Sequence, residues 1–392
     1  MEIYVLYHCP CVDGVFSLLV LCLFFKYFLI KNDSNFTALF ELLLSEKKFV
    51  SLDEKETQIQ QNASIMEEEK NEDIKKNEEI KELKEKIVID EEFDVSPGSI
   101  SKQIKYFAIQ PSSNANLFSD FMRYMKKSQE PDKIIISLDY YCESEDNIKI
   151  LSACAKKLII IDHHESLTKF DLLSVKNLEI FFDIKKSGAT LALDYFTKLM
   201  GDQLIPNSIL QKLNNFLLYV QDQDLHTGLF KETEAFISGL LKFKNDMNVY
   251  KNDILFNKIF KFSPETYIQF GKPLVEQKHI LVNEYFKSRK ILKVALSNGK
   301  QIVCFACKIS DNAVINDLGE KLAEEGLKNN FNNIGVVYRN YKDPNLFKIS
   351  VRGSNKHEDG SCMELANYWG GGGHKYAAGC FLNKKKFNKY VS

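Results

Sequence analysis

The sequence predicts an α/β protein: a mainly parallel sheet with helices on both faces, followed by a smaller α/β region with a mixed sheet. Two observations lead there. Short, fully apolar runs such as IIISL (134–138) and LIIID (158–162) alternate with helical segments, the pattern of strands buried on both faces. After about residue 290 the rhythm changes, and KILKVALS, QIVCFACKI, NIGVVYR and LFKISVRGS follow with a single helix, 314–326, among them.

The chain opens with the β-rich run MEIYVLY, a polar loop and then GVFSLLVLCLFFKYFLI (14–30). That apolar run is near the lower length limit for a membrane span, but it carries Lys26, and no basic segment precedes it as in a signal peptide. A buried helix is the expectation. From Glu67 to Ile87, 15 of 21 residues are charged, too few apolar side chains for a core. Residues 45–98 therefore read as a mostly disordered surface insertion. Order resumes at IKYFAIQ (104–110), with a helix around 117–129, a strand within 132–141, a helix over 148–155, the strand KKLIIIDHH and a strand over 177–184. SGATLALDYFTKL (187–199) opens a helix after a small-residue turn, and another, over 208–220, ends in YVQDQD. The expected division is a catalytic domain over 1–230, a helical connector over 231–290 and a smaller domain over 291–392.

At 392 residues the chain is long enough for two domains, and its formal charge of −1 gives no global attraction to nucleic acid or anionic membrane. Nine cysteines, scattered and odd in number, suit a reducing cytoplasm better than a disulfide scaffold. The lone CxxC, Cys304 to Cys307, reads as strand packing, since zinc needs a second pair of ligands. The expected protein is a monomer or homodimer without a membrane anchor.

Parallel sheets bind ligands at the carboxyl ends of their strands. Here those ends carry His8 and Asp13 in the first loop, Asp139 after the second strand, and Asp162, His163 and His164 after the third. The helix over 208–220 delivers Asp222 and Asp224. One aspartate after a strand is ordinarily a cap or turn residue. Several in one crevice repel one another unless cations neutralise them, and mixed carboxylate and imidazole donors suit Mn²⁺, Fe²⁺, Co²⁺ or Mg²⁺. Two such ions can activate a water and neutralise a phosphoryl oxygen.

These residues carry a resemblance to the DHH-superfamily phosphoesterases of the DHHA1 subgroup, relatives of RecJ-like nucleases and oligonucleotide phosphodiesterases. Asp162-His163-His164 is similar to the motif that names the superfamily. His8-x-x-x-x-Asp13-Gly14, Asp139 in ISLDYY, SGAT at 187–190 and Gln221-Asp222-Gln223-Asp224 resemble further motifs, in order. Gly370 to Gly373 with His374, then Ala377-Ala378-Gly379, resembles the DHHA1 signature. The resemblance implies two divalent ions, Mn²⁺ foremost, with Mg²⁺, Co²⁺, Fe²⁺ or Zn²⁺ as alternatives. It assigns His8 to one ion, Asp139 to a bridge, and Asp13, His163 and Asp222 to the second, with Asp224 an alternative ligand or a cap. His164 would contact the phosphate, and Asp162 would orient the histidine pair. Cys11 stands where the family usually has an aspartate, so a softer thiolate holds the first ion there or that ion is weakly held.

The implied activity is hydrolysis of a phosphodiester or phosphomonoester of a nucleotide or short oligonucleotide by metal-activated water. Gly371, Gly372 and Gly373 would let a ligand approach the backbone, with His374 and Arg352 donating to its phosphate or carboxylate. Two other readings stand beside this one: a phosphate- or nucleic-acid-binding protein that keeps the fold without catalysis, and an inorganic pyrophosphatase or polyphosphatase.

Overall fold

Strand β1 (Glu2–His8) is an interior strand of a five-stranded sheet, with Ile3 to Tyr7 fully buried. The computed structural model describes residues 1–9, 11–45, 100–109, 121–125, 132–201, 203–242, 262–354, 362–373 and 375–391. The expected insertion, apart from Ser45, lies outside the described residues, as does most of the expected helix around 117–129, of which 121–125 are helical.

By its internal contacts the chain divides into two compact units, Met1–Gly271 and Lys272–Ser392. The stretch 231–290, expected to be a connector, is shared between them. In the first unit α1 (Val12–Lys31) and α2 (Phe36–Leu44) follow β1. Then come β2 (Ile104–Ile109), β3 (Lys133–Leu138), α3 (Glu145–Ala153), β4 (Lys157–Asp162) and β5 (Leu178–Phe182). Helices α4 (Gly188–Met200), α5 (Asn207–Leu225) and α6 (Thr233–Lys242) complete it, before α7 (Pro264–Lys287) crosses the boundary between the units.

The sheet order is β2-β1-β3-β4-β5, and every pairing is parallel. The continuous apolar runs follow from this: all six residues of β3 and the last five of β4 are buried. Helix α1 is long and apolar enough to cross a membrane, but its residues from Asp13 to Phe25 are buried against this unit. Burying each such Leu or Phe contributes about 1.5–3 kcal/mol. Because β2 and β3 lie on opposite sides of β1, the chain order reverses at β1, and the crevice beyond β1 and β3 is the topological switch point of the sheet.

The second unit is built on a mixed sheet of order β10-β11-β9-β8-β7-β6. Its elements are β6 (Lys290–Ala295), β7 (Gln301–Lys308), α8 (Ile315–Lys328), β8 (Gly335–Asn340), β9 (Leu346–Arg352), α9 (Cys362–Tyr368), β10 (Gly372–Gly373), β11 (Ala377–Asn383) and α10 (Lys384–Phe387). Among the described residues of this sheet, β7 and β8 alone pair in parallel. Cys304 and Cys307 are both buried free thiols.

Candidate metal centre

The crevice at the switch point gathers side chains from four elements. His8 ends β1, Cys11 is the residue before α1, and Asp13 lies in the first turn of that helix. Gly14 makes this junction possible: a Cβ there would sit 2.1 Å from the His8 carbonyl oxygen. A second glycine does the same for α4, since a Cβ on Gly188 would lie 2.7 Å from Asp139 Cβ and 2.9 Å from Asp13 Oδ2. With that space open, the amides of Gly188 and Ala189 donate to the two oxygens of Asp13 at 2.5 and 3.0 Å. The SGAT segment thus aims a helix N-terminus, with its partial positive charge, at a buried carboxylate. Ser187 caps the helix by accepting from the Thr190 amide.

Asp139 follows β3 in the left-handed region, φ 52°, and its amide donates to the Ile161 carbonyl. Its carboxylate faces two ways. Oδ2 accepts from His8 Nδ1 at 3.2 Å, while Oδ1 lies 3.2 Å from His163 Nε2. His163 Nε2 also lies 3.3 Å from Asp224 Oδ2 and 4.0 Å from Asp13 Oδ2. Two donor sets result. Ligand-type atoms of His8, Cys11 and Asp139 lie within 4.8 Å of one another, and so do those of Asp13, His163 and Asp224. A third grouping of Asp139, Asp162, His163 and His164 meets the same distance. There, however, Asp162 Oδ1 already accepts from the amides of His163 and His164 and from His164 Nδ1, at 2.6, 3.0 and 2.6 Å. Asp162 therefore holds the histidine pair in place.

The crevice is electrostatically unbalanced. Among the described residues, Asp139 Oδ1, Asp162 Oδ2 and Asp224 Oδ2 are buried without an aligned hydrogen-bond donor, and no lysine or arginine pairs with Asp13, Asp139 or Asp224. Burial, then the charges of Asp139 and Asp224, holds the Asp13 carboxyl well above the ordinary value, against the Ala189 amide. Burial raises Asp224 in the same way, although the charge of His163 opposes it. Burial also acts upward on Asp139, but close contact with His163 and His8 outweighs it and leaves that carboxyl below its usual range. Burial disfavours the charged form of His163, yet Asp139 and Asp224 carry its pKa up to about 9. His164 is raised too, through Asp162. Burial and the neighbouring carboxylates keep the Cys11 thiol protonated far above its ordinary range.

Divalent cations relieve this imbalance. Unbonded buried oxygens together with imidazole and carboxylate donors fit Mn²⁺-type ions, and Cys11 makes the set around His8 the softer one. The residues present fit the group.

The fourth acidic segment differs from expectation. Asp222 does not join the cluster. Its Oδ1 accepts from Thr227 Oγ1 and the Leu229 amide, at 2.5 and 2.7 Å, and its Oδ2 from Thr233 Oγ1 and the Phe230 amide. Burial would raise its pKa, but these donors lower it, so Asp222 ties the end of α5 to the loop that follows. The carboxylate that reaches His163 is Asp224. Helix α5 runs on to Leu225, which places the two aspartates about 200° apart around it. Asp224 continues the stripe of Leu213, Leu217 and Val220 at spacings of four, three and four, a signal legible in the sequence. His226, the residue after α5, is exposed with φ 52°.

In the second unit the glycine segment has a packing explanation. A Cβ on Gly371 would meet the Gly379 oxygen at 2.2 Å, and one on Gly373, φ 141°, would meet Ala378 Cα at 2.5 Å. The space expected to admit a ligand at these two positions is filled by β11, with which Gly372 and Gly373 pair. Gly372 is open, its nearest neighbour being Asn367 Oδ1 at 3.8 Å, and so is Gly370, φ 80°, where a Cβ would meet nothing within 4 Å. Arg352, expected to fork onto a substrate anion, donates from Nε to Asn316 Oδ1 and from Nη1 to the carbonyls of Val351 and Ala378. His374 lies outside the described residues.

The sequence model described as DHH family, N-terminal domain, matches residues 2–219. The match stops just short of the fourth acidic segment. Among curated proteins, none matches the chain. Several solved structures resemble it distantly. A pGpG-specific phosphodiesterase, PggH from Vibrio cholerae, has a TM-score of 0.45 at 10% identity, covering 99% of this chain and 96% of its own. An exopolyphosphatase-related protein from Bacteroides fragilis has a TM-score of 0.44 at 15% identity, covering 99% and 89%. RecJ from Thermus thermophilus, in complex with Mn²⁺, has a TM-score of 0.43 at 11% identity, covering 99% of this chain and 50% of RecJ.

Proposed function

The chain belongs to the DHH family, and from that premise we propose that it is a metal-dependent phosphoesterase acting on a phosphodiester or phosphomonoester of a nucleotide or short oligonucleotide. The observation that carries the metal dependence is the carboxylate of Asp139. One oxygen lies 3.2 Å from His8 Nδ1, in the donor set that includes Cys11, and the other, lacking an aligned donor, lies 3.2 Å from His163 Nε2, which also contacts Asp224. His8, Cys11 and Asp139 would hold one divalent ion, and Asp13, His163, Asp224 and Asp139 a second.

Bound there, such ions supply Lewis acidity toward phosphoryl oxygens and lower the pKa of an attacking water. The protein's own groups do the rest. Asp162 fixes His164 through Nδ1, leaving Nε2 for a phosphate oxygen, and the Asp162 carboxylate, against burial, raises the pKa of His164 and so favours the form that donates there. The amides at the start of α4 hold Asp13 in register. The GGGGH segment, by its resemblance to the DHHA1 signature, supports a role for the second unit in binding the organic part of the substrate.

Chelator-treated protein reloaded with Mn²⁺ tests the proposal, assayed on dinucleotides, cyclic dinucleotides, nucleoside bisphosphates, pyrophosphate and a chromogenic diester. The expected result is Mn²⁺-dependent cleavage of at least one ester. Mn²⁺ binding without cleavage of any of them would favour a phosphate-binding protein, consistent with a neutral thiol at Cys11.

A further inference from the structure

A run of aromatic rings leaves the metal cluster on the side of His164. The ring centroids of His163 and His164 lie 4.6 Å apart, Tyr141 follows at 5.6 Å from His164, and Phe170 at 6.1 Å from Tyr141. Phe170 forms part of the wall of a cavity of about 480 Å³, a volume typical of a small-ligand pocket. Leu178, Ile180 and Phe182, alternate residues on one face of β5, form another wall, with Leu172 beside them. One charged side chain, Asp171, lines the cavity.

Two features of the backbone tie this cavity to the catalytic crevice. The 3₁₀ helix Glu165–Lys169 begins directly after His164, the Leu167 amide donates to the His164 carbonyl, and the Phe170 amide donates to that of Leu167. The cavity wall is thus the direct continuation of the DHH triplet. On the other side, Tyr141 sits in a turn with three non-glycine residues in the left-handed region: Asp139 at φ 52°, Cys142 at 63° and Glu143 at 64°. Such backbone is costly and persists where the surroundings impose it. Here Ser137 Oγ donates to the Tyr140 carbonyl and Asn147 Nδ2 to that of Cys142. The turn that places Asp139 for metal also holds Tyr141, half-buried, beside His164. Metal ligation accounts for Asp139 but not for Tyr141 or the cavity beyond it.

We infer that Tyr141, Phe170 and the β5 cavity form a subsite for a flat aromatic group attached to the phosphoester, in a nucleotide the base. The inference rests on the phosphoesterase reading and names the part of the substrate that leaves the phosphate on the His164 side. Rings suit this role because stacking takes any base through its π-face, and each stacked base is worth about 1–3 kcal/mol. Asp171 can accept from an exocyclic amine.

The test compares AMP with ribose 5-phosphate, which lacks the base, by calorimetric titration of the Mn²⁺-loaded full chain. AMP should bind at least about 10-fold tighter than ribose 5-phosphate. Tyr141→Ala should collapse the ratio toward one, and Tyr141→Phe should restore it. Ile180→Ser, on a wall position already partly exposed, should lower the ratio without relying on a buried substitution, and thermal melting shows whether each variant is folded. A ratio near one in the parent, or an unchanged ratio in Tyr141→Ala and Ile180→Ser, overturns the subsite. A parent that prefers AMP yet hydrolyses no ester sustains the subsite and contradicts the enzymatic reading. One that cleaves phosphoesters without that preference does the reverse.

Discussion

The crevice beyond β1 and β3 and the glycine hairpin of the second unit hold residues of similar chemical promise and treat them in opposite ways. In the crevice, Asp139 and Asp224 each have a buried oxygen that meets no aligned donor. In the hairpin, Arg352 is engaged by Asn316 and two backbone carbonyls, and the spaces over Gly371 and Gly373 are filled by β11. The same contrast recurs two residues apart in α5, where Asp222 is saturated with donors and Asp224 is not. A ligand-type side chain is therefore weak evidence for a ligand until its own hydrogen bonds are counted. Unmet groups in a buried place are what call for a cation.

The aspartate pair offers the largest break. Outer-shell partners of a metal are typically worth about 10- to 100-fold in affinity or activity, so Asp224→Asn, which removes a proposed direct ligand, should exceed the top of that range. Its melting temperature should hold or rise, because a half-buried carboxylate repelled by Asp139 has been removed. Asp222→Asn should do the opposite, losing about 2–4 kcal/mol of stability with donors left unpaired, while the folded fraction still binds Mn²⁺. If Asp222→Asn is stable and loses metal, the assignment within this segment is reversed.

Glycine-to-alanine changes sharpen the contrast between the two regions at the next scale. Gly188→Ala presses a methyl against Asp139 and Asp13, so Mn²⁺ affinity should fall about 10- to 100-fold. Gly371→Ala presses against Gly379 and Cys380, and should cost about 1–3 kcal/mol of stability in the second unit with Mn²⁺ affinity unchanged. Calorimetric Mn²⁺ titration beside thermal melting separates the two.

A smaller effect is expected at Cys11. Its thiol stays protonated in a crevice of carboxylates, so an ion must displace that proton to bind sulfur. Cys11→Asp should raise Mn²⁺ affinity by roughly 10-fold and keep or increase turnover. A loss of Mn²⁺ affinity would show that the thiol is the better donor in this setting. The smallest effect belongs to the charged stretch: replacing 50–98 by a short Gly/Ser linker should leave kcat within roughly a few-fold, since long surface insertions are tolerated thermodynamically. A drop on the order of 100-fold in a folded protein would give the insertion a part in substrate binding.

The fold was legible because burial on both faces writes itself as continuous apolar strands, and β3 and β4 are buried along nearly their whole length. The ends of those strands were legible for the same reason: once β1, β3 and β4 are placed, His8, Asp139 and Asp162 to His164 fall at one edge of the sheet. Asp224 was harder, because helix α5 continues through the segment and turns its two aspartates apart. The buried stripe of α5 held that information, while the donors that occupy Asp222 lie in the following loop and in α6. The reason for Gly371 could not be read locally, since its neighbours Gly379 and Cys380 are brought beside it by strand pairing. Tyr141 gave no signal at all. Its place beside His164 depends on three left-handed residues that no local pattern announces.

The central claim is that Asp139 joins two cation sites, and Mn²⁺ stoichiometry tests it most directly. Chelator-treated parent and Asp139→Ala would be titrated with Mn²⁺ while free ion is followed by electron paramagnetic resonance, with circular dichroism to show that both are folded. The account predicts two ions bound per parent chain, with magnetic coupling between them, and loss of the coupled pair in Asp139→Ala. A parent that binds no Mn²⁺, or an Asp139→Ala variant that still holds a coupled pair, would contradict it.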